Sequence, residues 1–338
     1  MFSSGRGFTA GSISELWRKA AFTSAKARKL AFATDDTSAP AISRQGDRLA
    51  YVVERSDANI WRIDLHSPNQ IPGSPFQFIS STRMEFHPAY SPDGKKVAFG
   101  STRSGTQEIW VCDSDGTNSV QLTFFGGEAV KGPRWSPDGQ SIVFAAFPGK
   151  NSDIHVISAK GGVPRRLTTD PADDKWPSWS WDGQSIYFVS NRSGSSQIWK
   201  VPVAGGDAVQ LTPNGEDRDM PQESPDGKFI YYHKGYPLQC SLWRIPVGGG
   251  EETKVLDSMH CDGLWTLGKE AIYFIAQPDE RGNSDIRVYE LATGKTRKIL
   301  TIERRVTSYI AVSPDGLTIL YPQFDLLGSD LMLVENFR

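Results

Sequence analysis

Residues 133–139 read Pro133-Arg134-Trp135-Ser136-Pro137-Asp138-Gly139, and the last four letters recur along the whole chain. The tetrapeptide Ser-Pro-Asp-Gly is complete at 91–94, 136–139, 224–227 and 313–316, and one letter differs at 180–183. Two weaker copies end at Gly46 and Gly268, so the seven marker glycines lie 48, 45, 44, 44, 41 and 48 residues apart. Self-similarity at a nearly constant period of this length indicates a repeat architecture.

Residues 86–125 contain one complete repeat. Four short β-rich runs, at 86–90, 97–100, 108–112 and 120–123, are separated by clusters of Gly, Pro, Asp and Ser, which predicts a four-stranded antiparallel meander. Within the turn, proline presets φ, the aspartate can bond its own backbone, and glycine accepts a positive φ. The tetrapeptide can therefore recur for structural reasons and does not mark an active site.

Two further patterns run in phase with the turn. An aliphatic–bulky pair such as Ile109-Trp110 or Ile198-Trp199 follows the marker glycine, and a Leu-Thr pair such as Leu122-Thr123 comes about 13 residues later. Four strands per repeat and seven repeats predict an all-β, seven-bladed propeller of four-stranded antiparallel blades, because radial closure removes exposed sheet edges. An open β-solenoid is the alternative.

The two ends of the chain predict how the ring closes. The last repeat ends before its fourth strand, whereas residues 28–33 have the pattern of a fourth strand and precede the first turn. We expect this N-terminal strand to complete the C-terminal blade. Residues 15–19 are a surplus third strand that competes with 331–334, and we favour 331–334 because that copy is apolar on both faces. The surplus predicts that the chain was cut from a longer array.

These patterns give a loose segment at 1–24 and a single propeller domain at 25–338. The predicted blades are about 38–82, 86–125, 130–169, 175–212, 219–257, 260–301, and 307–335 together with 28–33.

Composition excludes some classes of function. A net charge of −2 and a pI near 6.2 argue against a nucleic-acid surface, and we expect no direct nucleic-acid or membrane binding and a monomer. No signal peptide or transmembrane segment is apparent, so localisation stays open. The three cysteines, Cys112, Cys240 and Cys261, lie at unrelated repeat positions, which predicts buried free thiols.

The longer, charged loops lie at the end of the repeats opposite the Ser-Pro-Asp-Gly turns. Function usually lies on such loops over a rigid scaffold, and we expect them to surround the mouth of the central channel. The candidate binding residues, which would form a mixed-charge pocket for a protein partner or a small polar ligand, are Glu85, His87, Lys131, Asp174, Lys175, Arg218, Asp219, Asp262 and Arg304. The alternative is a solvated face with local ion pairs.

Motifs for catalysis are absent from the sequence. It has no nucleophile elbow, His-Glu-x-x-His, Walker loop or dinucleotide fingerprint, and its histidines have no metal-ligand spacing. We therefore predict no catalytic residues, no metal and no cofactor.

The composite pattern resembles the WD-like repeats of TolB-type propellers, most plainly at Pro133–Gly139 and Ser190–Gly194. The chain also resembles the C-terminal half of large bacterial proteins that place a winged-helix domain before such repeats, and its ending, residues 329–338, is similar to theirs. The first resemblance implies a propeller that binds a partner in the periplasm. The second implies a sensory propeller, and a chain that is not TolB-like would be cytoplasmic. No winged helix is present in this sequence, so DNA binding is not implied.

The sequence thus predicts a non-enzymatic binding or scaffold propeller, possessing a site at its loop-rich face. Two alternatives stay open: a carbohydrate-active lyase or hydrolase with a site at the channel mouth, and a fragment of a repeat array without a separate function.

Overall fold

The computed structural model describes residues 2–4, 15–18, 26, 28–30, 37–65, 72–127, 129–147, 149–213, 215–235, 240–261 and 264–336. All the regular secondary structure of these residues is β-strand. The chain divides into two compact units, one of residues 58–324 and the other of residues 1–57 with 325–338. In the described part of the chain, no helix is long and apolar enough to cross a bilayer.

Five four-stranded antiparallel sheets follow one another within residues 58–324, and each is built from one repeat. Chain neighbours pair within every sheet. The strands are β7 to β10 (Glu85–Tyr90, Lys96–Ser101, Glu108–Asp113, Val120–Gln121), β11 to β14 (Val130–Trp135, Ser141–Ala146, Asp153–Ser158, Arg165–Arg166), β15 to β18 (Asp174–Trp179, Ser185–Ser190, Gln197–Pro202, Val209–Gln210), β19 to β22 (Arg218–Glu223, Phe229–Lys234, Cys240–Pro246, Thr253–Met259) and β23 to β26 (Trp265–Leu267, Ala271–Ile275, Ser284–Glu290, Thr296–Ile302).

A sixth sheet in the same unit combines the last repeat with the first. Its strands are β27 (Ala311–Val312), the first part of β28 (Thr318–Glu335), the second part of β5 (Arg48–Asp64) and β6 (Phe76–Ile79). Ala311 pairs with Leu320, and Ile60 pairs with Ile79. The Leu65 N–H donates to the Leu317 carbonyl at 2.7 Å, which joins the two halves. The described residues of this unit therefore form six four-stranded sheets.

The other unit contains a three-stranded sheet and the remaining parts of the long strands. β1 (Phe2–Ser4), β2 (Glu15–Arg18) and β3 (Arg28–Lys29) pair in chain order. β4 (Thr37–Ile42) pairs with the first part of β5. Arg48 with Glu335 at 3.7 Å and Arg55 with Asp330 at 2.7 Å place the second part of β28 alongside β5.

The seven closed blades of the sequence prediction are not confirmed. Within the described residues, β3, which belongs to the predicted closing strand, pairs with β2. β28 pairs with β5 and not with the closing strand. Residues 31–33 of the closing strand lie outside the described residues. The links between the second and third strands also differ among the repeats. Gly105 and Gly194 turn this link at φ of 92° and 97° in two middle repeats, whereas residues 54–58 contain no glycine or proline and continue as one strand.

Hydrogen bonds of its own serine and aspartate side chains stabilise each Ser-Pro-Asp-Gly turn. Each serine Oγ donates to the aspartate Oδ1 two residues on, at 2.5–2.7 Å, and accepts the N–H five residues on, at 2.9–3.0 Å; the serines are Ser91, Ser136, Ser180, Ser224 and Ser313. The Leu-Thr pattern has a similar basis, because Thr123 Oγ1 accepts the Ile109 N–H at 2.9 Å. Both motifs stabilise strand connections.

The prediction of three free thiols is wrong for two of them. Cys240 and Cys261 form a disulfide with a Cα–Cα distance of 5.2 Å, and Cys112 is free and buried. Sequence spacing did not suggest this pair, because repeat position alone places the two cysteines apart. The pairing of β21 with β22 sets Cys240 opposite Met259, two residues before Cys261, and so brings the two sulfurs together.

The core lies in the seams between successive sheets. One seam joins Ala98 and Ile109 of one repeat to Ile142 and Phe144 of the next, and all four side chains are fully buried. Burial of such apolar side chains is the main driving force for packing neighbouring sheets. The seams hold the innermost strands in a fixed relation, and this positions the residues described next.

Candidate functional site

The innermost strands of four successive repeats each contain a β-bulge at the same position. The pairing register shifts at this point in β7, β11, β15 and β19. The bulged residues are His87, Gly132, Trp176 and Met220, with φ between 53° and 65°, and a proline follows each. Tyr309 has φ of 66° in the last repeat. Bulges re-aim side chains, and positive φ in bulky residues is uncommon enough to suggest a functional constraint.

The bulged side chains meet at one point. The His87 and Tyr309 ring centroids are 4.5 Å apart, and Trp176 lies 5.5 Å from Tyr309 and 6.1 Å from His87. These residues come from three different repeats, so their contact lies at the centre of the sheet array. The Arg134 guanidinium stacks on the Tyr309 ring at 4.4 Å. We call His87, Arg134, Trp176, Met220 and Tyr309 the central cluster.

The central cluster leaves almost no free space. The cavity between Arg134, Trp176, Met220 and Tyr309 has a volume of about 10 Å³. A cavity of this size holds about one water molecule. A small-molecule ligand therefore has no room between these side chains.

Hydrogen bonds fix the orientation of His87. The Gly132 N–H donates to Nδ1 at 3.2 Å, so Nε2 carries the proton and donates to Ser308 Oγ at 2.6 Å. Burial, followed by the nearby cations Lys131 and Arg134, holds the pKa of His87 well below its usual range. The imidazole is therefore neutral at physiological pH and acts as a fixed part of the cluster.

Three charged residues immediately precede the bulged residues and interact with one another. They are Lys131, Lys175 and Asp219, which we call the charged trio. Burial, and then the charge of Lys175, lower the pKa of Lys131. Burial raises the pKa of Asp219 to about 7, although the Met220 N–H at 2.9 Å and the charge of Lys175 oppose this. Lys175 Nζ also contacts Asp173 at 3.0 Å.

Three other predicted site residues lie in internal ion pairs. Glu85 is fully buried, forms an ion pair with Arg103 Nη2 at 3.0 Å and accepts a hydrogen bond from Arg103 Nε at 3.3 Å. Asp174, also fully buried, accepts Arg192 Nη2 at 2.8 Å. Arg218 Nε donates to Glu252 at 2.6 Å. The structure places these three side chains inside the repeats, where they stabilise strand ends.

Glu252 shows how strongly one of these internal pairs is held. Burial alone would raise the pKa of Glu252, but donors from Arg218, Lys234 and Tyr232 lower it to about 2. Tyr232 donates to Glu252 Oε1 at 2.5 Å. The carboxylate is therefore ionised, and its oxygens are engaged within the repeat.

The structure thus brings together four of the nine predicted residues: His87 in the central cluster, and Lys131, Lys175 and Asp219 beside it. Arg304 is exposed, and Asp262 lies outside the described residues. Sequence reasoning missed Arg134, Trp176, Met220 and Tyr309. A signal was available for two of them, since Trp176-Pro177 and Met220-Pro221 repeat the His87-Pro88 pattern at the repeat period.

Comparison with known proteins identifies the type of repeat. The model of the TolB beta propeller domain matches residues 128–265. Over these residues, the repeats are TolB-like. A Tol-Pal system protein TolB from Anaeromyxobacter dehalogenans is 37% identical over 100 residues, which are 28% of this chain and 22% of that protein. The matched segment therefore spans about a fifth of the length of the TolB relatives.

Solved structures agree on the fold. A structure from Agrobacterium tumefaciens described as a TolB superposes with a TM-score of 0.66 at 20% identity, covering 80% of this chain and 99% of that one. An oligogalacturonate lyase in complex with manganese has a TM-score of 0.52 at 13% identity, covering 82% and 75%. At these identities the likeness concerns the TolB-type fold alone.

Proposed function

We propose that this chain is a non-enzymatic propeller that binds a protein partner at the charged trio, above the central cluster. The observation that carries the proposal is the packing of the central cluster. The cavity among Arg134, Trp176, Met220 and Tyr309 has a volume of about 10 Å³, too small for a substrate between these side chains. Charged side chains beside a rigid aromatic floor are suited instead to a segment of another protein.

The charges of the trio indicate the chemistry of that segment. The positive charge of Lys175 acts to lower the pKa values of both Lys131 and Asp219, and Asp219 is the carboxylate of the trio. Lys175 is paired with Asp173, and burial raises the pKa of Asp219, so the charge of Lys131 favours an acidic group on the partner. Rim charges of this kind act mainly on specificity and association rate.

The relatives support a protein partner. Three curated relatives from Anaeromyxobacter are each named Tol-Pal system protein TolB. For this chain, a partner from a system of this kind is part of the proposal. A peptidase relative, YuxL of Bacillus subtilis, is 33% identical over 91 residues, which are 25% of this chain and 14% of that protein, so its activity is not transferred here.

A displayed library of random peptides selected on the full chain provides the test. Selected peptides should be enriched in Asp and Glu, and isothermal titration should give at least ten-fold weaker binding to Lys131→Glu/Lys175→Glu. Lys160→Glu/Lys228→Glu is the matched control, because both lysines are exposed on the opposite, turn side of their repeats. Peptides that bind both variants equally would remove the charged trio from the proposal.

The lyase alternative needs a different result. Among the described residues, no group of three His, Cys, Asp or Glu side chains could hold a metal ion. Bound metal in the purified protein, together with turnover of an oligosaccharide, would favour that alternative over a binding protein.

A further inference from the structure

The cavity of the central cluster is lined by bulged residues and by residues that follow the bulges in the chain. Its polar side chains are Arg134, Gln222 and Tyr309. The remaining lining residues are Trp176, Pro177, Met220 and Pro221. None of these lining residues carries a carboxylate, so the cavity combines a guanidinium with no negatively charged group of its own.

The polar side chains of the cavity occupy a fixed position in the repeat. Arg134, Ser178 and Gln222 each lie two residues after a bulged residue, in three successive repeats. The same position holds Ala89 and Ala311 in two other repeats. The middle repeats therefore place polar side chains where two others place a methyl group.

Gln222 has a fixed orientation and an unused donor. Its Oε1 accepts the Leu267 N–H at 3.0 Å, which determines which end of the amide is the oxygen. Among the described residues, its buried Nε2 has no hydrogen-bond partner. A buried donor without an acceptor costs free energy. Because Gln222 lines the cavity, an acceptor placed there can satisfy this amide.

Arg134 differs from other largely buried arginines in having no carboxylate partner. Arg103 pairs with Glu85 at 3.0 Å and Arg192 with Asp174 at 2.8 Å. In the described part of the chain, no carboxylate oxygen lies within 4.0 Å of the Arg134 guanidinium. Its Nη1 donates to the neighbouring Pro133 carbonyl at 3.1 Å, and its plane stacks on Tyr309. The other guanidinium donors are left for a ligand.

The charges around the cavity favour a negative ligand. Lys131 and Arg134 both act to lower the pKa of His87, which is neutral. Burial raises the pKa of Tyr309, so its phenol is neutral as well. Burial also raises the pKa of Asp219, to about 7, which weakens the nearby negative charge. A cation held away from water is stabilised more by an anion than by a water molecule.

The size of the cavity restricts the anion. A volume of about 10 Å³ holds about one water molecule, and a chloride ion is only slightly larger. Phosphate, sulfate and the carboxylate of a peptide are too large for it. The ligand chemistry that fits is therefore a single-atom, monovalent anion.

We propose that a chloride ion binds in this cavity, held by the Arg134 guanidinium and the Gln222 amide. The ion supplies the negative charge beside Arg134 and accepts a hydrogen bond from Gln222 Nε2. The site lies on the turn side of the bulged residues, whereas the charged trio precedes them. It is therefore separate from the partner-binding site and does not depend on the proposed function.

Thermal unfolding of the full chain tests the proposal. At constant ionic strength, replacing sodium gluconate by sodium chloride up to about 150 mM should raise the melting temperature of the wild type by about 3 °C. Gln222→Glu provides a carboxylate of the same shape beside Arg134 and keeps the acceptor for Leu267. Its melting temperature should not respond to chloride.

Gln121→Glu is the matched control, because Gln121 lies on the outer strand β10 and the same change there should leave the chloride response at the wild-type value. The proposal is overturned by a wild type that does not respond to chloride. It is also overturned by a Gln222→Glu variant that responds as the wild type does, since the response would then come from surface effects of the salt.

Bromide locates the ion directly. Anomalous diffraction from wild-type crystals grown in sodium bromide should show a peak within hydrogen-bond distance of Arg134 and Gln222, and crystals of Gln222→Glu should lack it. Bromide peaks at surface lysines alone, or a water molecule without anomalous signal in the cavity, would overturn the proposal.

Discussion

The two ends of the innermost strands differ in what their residues do. At one end, the Ser-Pro-Asp-Gly turn repeats the same serine–aspartate hydrogen bond in five repeats. At the other end, the bulge repeats its backbone conformation but varies its side chain from His87 to Gly132, Trp176 and Met220. A constant side chain indicates that the turn itself requires it. A constant backbone with varied side chains indicates a scaffold that presents different groups, as at a binding surface.

The largest expected effect is a difference in the free energy of unfolding between variants of two adjacent residues at the bulge end. Asp174→Ala leaves the Arg192 guanidinium largely buried without its carboxylate, which should lower the free energy of unfolding by about 3–5 kcal/mol. Lys175→Ala should change it by less than about 0.5 kcal/mol, because Lys175 is 37% exposed. Urea unfolding of both variants measures the difference. Equal losses would mean that the internal pair and the charged trio are not distinct.

The disulfide should have the next largest effect. It closes a loop across a sequence separation of 21, so Cys240→Ala/Cys261→Ala should lower stability by about 3 kcal/mol. Thiol titration of the unreduced, denatured wild type should find a single free cysteine, Cys112. Finding three would show that the disulfide does not form in the purified protein.

Asp219 should make stability depend on pH. Its pKa rises from 3.8 to about 7 on folding because of burial, so the folded state binds a proton that the unfolded state has lost between these values. Stability from this group therefore falls as pH rises from 3.8 to 7. Asp219→Asn removes this pH dependence. After allowance for the partial exposure of Asp219, the variant should be more stable than wild type by about 2 kcal/mol at pH 8. At pH 4.5 the difference should be much smaller. Identical differences at both pH values would contradict the raised pKa.

The smallest effect lies at the turn end. Ser136→Ala removes the Oγ bonds to Asp138 and to the Ser141 N–H and should cost about 1 kcal/mol. Peptide binding at the charged trio should be unchanged, because this turn lies at the opposite end of the strand. Thermal unfolding and titration on one preparation measure both. Lost peptide binding at full stability would place the turn in the site.

The sequence predicted the strands of the middle repeats well, since their period, turns and apolar runs are local properties of the chain. Of the residues that the sequence proposed for a site, Lys131, Lys175, Asp219 and His87 come together in the structure, but Asp174 and Arg218, each adjacent to a trio residue, are internal. Charge pattern alone cannot separate such neighbours, because alternation along a strand sends one side chain inward and the next to the surface. Which of the two faces inward depends on the bulge.

The sequence by itself determined an all-β repeat protein with TolB-type turns, because Pro, Asp and Gly restrict the backbone within a few residues. Tertiary structure decided the features that join distant residues. These are the Cys240–Cys261 bond, the central contact of His87 with Tyr309, and the pairing of the first repeat with the last. The pairing depends on whether the link between two strands turns or continues straight. Residues 54–58 contain no glycine or proline, and β5 continues through them as one strand.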